Sequence, residues 1–212
     1  MSTPKQQYYE NLADSLVDKF NLRGIEGYYC ETKEEALLTA KRFLTPGCSV
    51  SWGGSMTLEE IGLIEDLRNS DYTVFDRSTI KTPEEREAFF AEVSHCDYYF
   101  MSSNAITLDG QLVNIDGMGN RVASLIHGPK NVVIVAGMNK ICKDVDTAID
   151  RVHNQAAPPN GIRLGLSTPC AKFGRCVECL EDGCMCCNTV ITRKSKIPGR
   201  IKVILVGEEL GY

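Results

Sequence analysis

Six of the ten cysteines lie within eighteen residues: Cys170, Cys176, Cys179, Cys184, Cys186 and Cys187. Cys176-x-x-Cys179 has the spacing of a two-ligand metal knuckle. Thiolates are soft donors that take zinc or an iron–sulfur cluster, and four of them close a tetrahedral zinc site or ligate a cluster. The expected set is Cys170, Cys176, Cys179 and Cys187, with Cys184 or Cys186 able to replace the last. The competing reading is reduced thiols in an ordinary loop, or a redox disulfide. Closely spaced surface thiols oxidise unless bound, which favours metal and leaves zinc against iron–sulfur open.

Three further constellations suit an anion. Val50-Ser51-Trp52-Gly53-Gly54-Ser55-Met56-Thr57 runs from strand through glycine loop to helix. Gly53 and Gly54 let backbone approach a ligand, and Ser55 adds a hydroxyl at a helix start. The same residues also suit a plain tight turn. Asn104, Asp116, Asn120 and Arg121 are expected at a strand end, a hairpin base and a helix start, where an arginine can hold a carboxylate or phosphate bidentately. A hydrogen-bond net closing the hairpin would use the same side chains. Lys140, after an apolar run, could contact an anion, act as a nucleophile if its pKa fell, or simply be solvated. No full dinucleotide fingerprint or Walker lysine is present. Cys30, Cys48, Cys96 and Cys142 are scattered and read as small buried hydrophobes. His95, His127 and His153 pair with no second ligand or nucleophile.

The elements that must position these groups alternate. Thr32-x-x-Glu35, Thr57-x-x-Glu60 and Thr82-Pro83-x-Glu85 have capping-box form, and Asp144 can cap a further helix. A helical period also runs through Tyr8, Leu12, Leu16 and Phe20. Strands are expected at 49–52, 72–75, 98–101, 132–136, 162–166 and 201–206. Alternating strands and helices imply a largely parallel sheet, and Asp109-Gly110 marks a hairpin within 105–114. Pro158-Pro159-Asn160-Gly161 reads as a loop ahead of the cysteine-rich part. The expected architecture is α/β: a Rossmann-like αβα sandwich with a mostly parallel sheet, a β-hairpin insertion and a cysteine-rich C-terminal extension. One domain is expected over 1–212, with a core of about 5–157 and the cysteine-rich part over about 158–212.

The net charge is −5 and no segment concentrates lysine or arginine. Nucleic acid and anionic membranes are therefore poor partners. No apolar run approaches the roughly 18 residues a spanning helix needs, and the first helix is amphipathic rather than a signal core. A cytoplasmic location is expected, where ten cysteines argue against a disulfide framework.

Blocks of the sequence resemble the LUD (lactate utilisation) domain family: Gly54-Ser55-Met56-Thr57-Leu58-Glu59-Glu60-Ile61-Gly62, Asn104–Gly110, Asp116–Val122, Gly128-Pro129-Lys130 and Gly137-Met138-Asn139-Lys140. They occur in the family's order between about Tyr8 and Asn188. The cysteine tail resembles that of stand-alone members, departing from it by Cys184, Cys186 and one added residue before Cys187. The resemblance implies a fold like that of the ribose-5-phosphate isomerase, glucosamine-6-phosphate deaminase and CoA-transferase superfamily. It also implies a link to bacterial oxidation of L-lactate to pyruvate beside an iron–sulfur protein partner. The CoA-transferase glutamate has no counterpart, since a cap explains Glu60; Asp109 and Asp116 have simpler turn and cap duties.

Two functions follow. One is binding of a small anionic metabolite (hydroxy acid, sugar phosphate or CoA-like) at Gly53, Gly54, Ser55, Asn104, Asp116, Asn120, Arg121 and Lys140. The other is a non-enzymatic, metal-binding accessory or redox subunit of an iron–sulfur oxidoreductase system. The sequence leaves a homo-oligomer open.

Overall fold

The computed structural model describes residues 3–212. The first two residues of the expected domain lie outside that range. Six strands form the central sheet: β1 (Glu26–Cys30), β2 (Ser49–Trp52), β3 (Thr73–Phe75), β4 (Tyr98–Met101), β7 (Asn131–Gly137) and β10 (Ile201–Val206). Their order is β1-β10-β7-β4-β2-β3, and every pairing is parallel. The hairpin of β5 (Ala105–Thr107) and β6 (Leu112–Asp116) is antiparallel, as the Asp-Gly turn requires. It belongs to a second, four-stranded sheet completed by β8 (Ile141–Cys142) and β9 (Asn188–Thr192). β9 follows the cysteines directly and pairs antiparallel with β6, Asp116 opposite Asn188.

Alternate residues of the central strands face opposite apolar layers. Val132, Ile134, Val203 and Leu205 pack with Ala13, Leu16 and Phe20 of α1 (Pro4–Leu22), and with Val93 of α5 (Pro83–Val93) and Leu125 of α6 (Asn120–Ile126). Val133, Val135, Ile204 and Val206 pack with α2 (Lys33–Arg42), α3 (Met56–Glu60) and α4 (Leu63–Arg68) through Ala36, Leu58 and Leu67. A strand covered on both faces reads as continuously apolar, which explains the run at 132–136. A third apolar layer joins Ala105, Val113 and Ile115 of the hairpin sheet to Ala148 of α7 (Val145–Arg151), and to Val152 and Ala156.

Several expectations are corrected. Helix α3 is capped by Ser55, whose Oγ accepts from Leu58 N at 3.3 Å; Thr57 lies inside the helix and is buried. Residues 158–161 are not a loop. A π-helical turn (Val152–Ala156) continues α7 into α8 (Ala157–Arg163). Pro158 and Pro159 then stand in the first turn of α8, where a missing N–H is tolerated. Residues 162–166 accordingly end a helix instead of forming a strand. Strand β1, Glu-Gly-Tyr-Tyr-Cys, is an edge strand that the apolar pattern did not mark.

The N-terminal ends of the strands are tied by one carboxylate. Asp97, just before β4, accepts from Ser49 N (2.8 Å) and Ser49 Oγ (2.9 Å) at the start of β2, and from Lys130 Nζ (2.8 Å) just before β7. The Lys130 ammonium and the Ser49 donors hold its pKa down to about 2. An unfolded aspartate titrates near about 3.9. The stabilisation is therefore complete above that value and disappears as pH falls toward 2. Urea unfolding of wild type and Asp97→Asn should differ at pH 7, with the gap shrinking between about pH 4 and 2. A gap that stays constant with pH would show that Asp97 is not what the strand ends depend on.

Candidate functional site

The opposite edge, at the C-terminal ends of the strands, is open. In parallel α/β sheets this is where ligands sit. A cleft of about 330 Å³ lies there, lined by Gly54 and Ser55 after β2, Ser102, Ser103 and Asn104 after β4, Asp116, Asn120 and Arg121 between β6 and α6, and Lys140 after β7. Gly53 stands just behind: a side chain there would lie 3.1 Å from the Cγ and Cδ atoms of Arg121. The two glycine and arginine segments, about seventy positions apart, thus meet on one rim.

Arg121 joins the two sheets. Its Nη1 donates to Asn114 Oδ1 (2.6 Å) and Ser102 O (3.2 Å); its Nη2 donates to Asn104 Oδ1 (2.8 Å) and Ile115 O (2.9 Å). Its Nε faces Asp116 Oδ2 at 3.3 Å. The four Nη hydrogens thus meet four protein oxygens, and the ion pair with Asp116 occupies the Nε side. The fork is therefore a structural joint that lends the cleft positive potential, and it has no donor to spare for a bidentate ligand. Asp116 also accepts from Gly119 N (2.9 Å), closing the turn into α6.

Lys140 occupies the floor. It is 4% exposed, and its Nζ donates to Thr57 Oγ1 and Ser102 Oγ, both at 2.9 Å. Among the described residues no carboxylate lies within ion-pair distance of it. Burial, then the nearby Arg151, push its pKa down to about 7 against the opposing pull of Glu60, with Arg121 adding the least. Arg151, itself buried, donates to Asn139 O (3.1 Å) and Asn104 O (2.8 Å) and also lacks a carboxylate partner. Glu208–Gly211 crosses the end of β7: a side chain at Gly137 would strike Glu208 O and Leu210 N at 2.6 Å. Leu210 N donates to Asn139 Oδ1 (3.1 Å), and Gly211 N donates to Glu60 Oε2 (2.8 Å).

The remaining wall comes from the continuous helix of α7, the π-helical turn and α8, and from the cysteine segment. Val152 and Ala156 of the π-helical turn, Asn160 and Arg163 of α8, and Met185 and Cys186 line it, while Arg77 stands at the mouth over Gly54. Wide turns of this kind recur at functional sites. Arg77, Arg121, Lys140 and Arg163 thus face the cleft against one carboxylate among the described residues, Asp116.

Beside this wall the cysteines gather. Burial, then the sulfurs of Cys184, Cys176, Cys170 and Cys179, push the Cys186 thiol up to about 12. Cys170, in the first turn of α9 (Pro169–Phe173), is buried, with Thr168 Oγ1 at 3.3 Å from its sulfur. Cys187 is exposed at the entry to β9. Among the described residues, no three His, Cys, Asp or Glu side chains form a ready-made metal centre.

Sequence reasoning missed Arg77, Arg151, Arg163 and Tyr212 as residues in or behind the cleft. Single charges in an irregular turn or on a helix carry no spacing signal.

Comparison with known proteins agrees with this architecture. The crystal structure of a DUF162 family protein from Deinococcus radiodurans aligns with a TM-score of 0.54 and 14% identity, covering 93% of this chain and 98% of that one. Ribose 5-phosphate isomerase from Plasmodium falciparum aligns over 52% of each chain, at 17% identity and a TM-score of 0.33, too partial a likeness to argue from. No curated protein matched. The LUD domain profile matches residues 13–206, and the chain belongs to the LUD domain family.

Proposed function

We propose that the cleft binds a small anionic metabolite, foremost a hydroxy or oxo acid such as lactate or pyruvate, with Lys140 as the group that meets its charge. The observation that carries this reading is the excess of cation. Lys140 is buried without an ion-pair partner, and Arg151 and Arg121 stand behind it. Burying an unpaired ammonium is costly, and an incoming carboxylate or phosphate would offset that cost. The volume of about 330 Å³ lies at the small end of ligand sites. It suits a short acid or small sugar phosphate better than an entire CoA. The adjoining cleft beyond Arg77 balances Arg68 and Arg86 against Glu59, Glu65 and Asp76, so it adds no comparable pull on an anion.

Near pH 7 both forms of Lys140 are populated. The ammonium holds an anion, and the free amine is competent to take a proton or attack a carbonyl. The family's association with lactate utilisation supports a three-carbon acid over other anions of this size.

Calorimetry with lactate, pyruvate, ribose 5-phosphate and CoA tests the reading. At least one small anion should bind, more weakly as pH rises through about 7, where Lys140 loses its charge. Lys140→Met should weaken binding roughly 10- to 100-fold, the worth of a charge-assisted contact, while changing stability by no more than about 1 kcal/mol, since an apolar stem replaces an unpaired buried cation. Silence from every anion, or Lys140→Met binding like wild type, rejects the proposal.

Arg121→Met should do the reverse to stability. It strands Asn104, Asn114, Asp116 and two carbonyls, costing about 3–5 kcal/mol in denaturant titration. Lys, with three donors and no planar fork, should rescue little. A loss below about 1 kcal/mol would contradict the joint of four hydrogen bonds and an ion pair.

A further inference from the structure

The cysteine segment carries a feature independent of what the cleft binds. Two turns in it have the same form. In Cys176-Val-Glu-Cys179, the N–H of Glu178 donates to the Cys176 sulfur at 3.3 Å. In Cys184-Met-Cys186, the N–H of Cys186 donates to the Cys184 sulfur at 3.4 Å. A backbone N–H aimed at the sulfur two residues back stabilises a thiolate and orients it outward, as hydrogen bonds to metal-bound sulfurs do. A neutral thiol in a plain loop gains little from this arrangement.

The first turn also holds a strained residue. Glu178 has φ 54°, the one positive φ outside glycine among the described residues. The left-handed region costs a residue with a side chain about 1–2 kcal/mol, and such strain collects at ligand clamps. Cys179 lies near Cys184, which brings the two turns together, and Cys170 is close enough to act on Cys179 and Cys186 alike. Cys187 is exposed and already engaged: its N–H donates to Asp116 O (3.2 Å) and its sulfur to Cys184 O (3.4 Å).

We infer that Cys170, Cys176, Cys179 and Cys184 form a four-thiolate site for a thiophilic metal centre, a zinc ion or an iron–sulfur cluster. Cys184 thus takes the place that spacing alone had offered first to Cys187. Metal bound there would take the four sulfurs as thiolates, their protons being released to solvent. Because Met185 and Cys186 line the cleft, the centre would also brace one wall of the cleft.

The test uses the full chain, purified without oxygen and reconstituted separately with zinc and with iron plus sulfide. Elemental analysis and visible absorption should find one zinc, colourless, or one cluster, brown, per chain; either supports the site and identifies its metal. Cys170→Ser, Cys176→Ser, Cys179→Ser and Cys184→Ser should each lower affinity more than about tenfold in chelator competition, whereas Cys187→Ser and Cys48→Ser should keep it. Should the serine variants misfold, alkylation of the wild type decides: metal should shield the four named cysteines and leave Cys187 reactive. Failure to load either metal overturns the inference, as does shielding of Cys187 in place of Cys184.

Discussion

Lys140 sits just past the end of β7 with hydroxyl groups for company and, among the described residues, no carboxylate within ion-pair distance. Everything else at this edge bears on that ammonium. Arg151 and Arg121 approach from α7 and from α6, and each makes the charge harder to keep. A fold built only for stability would have paired such a group or replaced it with an apolar one. Here the adverse field is retained at the place where parallel sheets accept ligands, which is why charge, more than shape, points to the occupant.

That field depends on the joint between the two sheets. Arg121 ties the end of β4 to the hairpin through Ser102, Asn104, Asn114 and Asp116. Asn104 then passes the connection on, since its carbonyl receives Arg151. Asp116 opposes Asn188 at the start of β9, so the same strand that carries Arg121's partners holds the exit of the cysteine segment. The cationic floor and the thiol-bearing wall are positioned by one hydrogen-bonded unit.

Much of this was legible in residue order, and the exceptions have physical causes. Central strands declared themselves because both faces are buried, as at Val132–Ala136. Edge strand β1 did not, because Glu26 and Gly27 break the apolar pattern and most of its residues are half-exposed. Pro158 and Pro159 read as a loop because a missing N–H usually ends a helix; the wide turn at Val152–Ala156 absorbs it instead. The glycine loop, the Asn-Arg helix start and Lys140 stood out as strand-end residues. What spacing could not show was whether Arg121 had donors to spare. That depended on Asn114 and on main-chain oxygens brought in by folding.

The ionisation of Lys140 can be measured directly by NMR on selectively labelled lysine, with and without small carboxylates and phosphates. If this account is right, one lysine, absent from Lys140→Met, titrates near 7, and its pKa rises when a small acid binds. A Lys140 that titrates with the surface lysines and responds to no anion would contradict it.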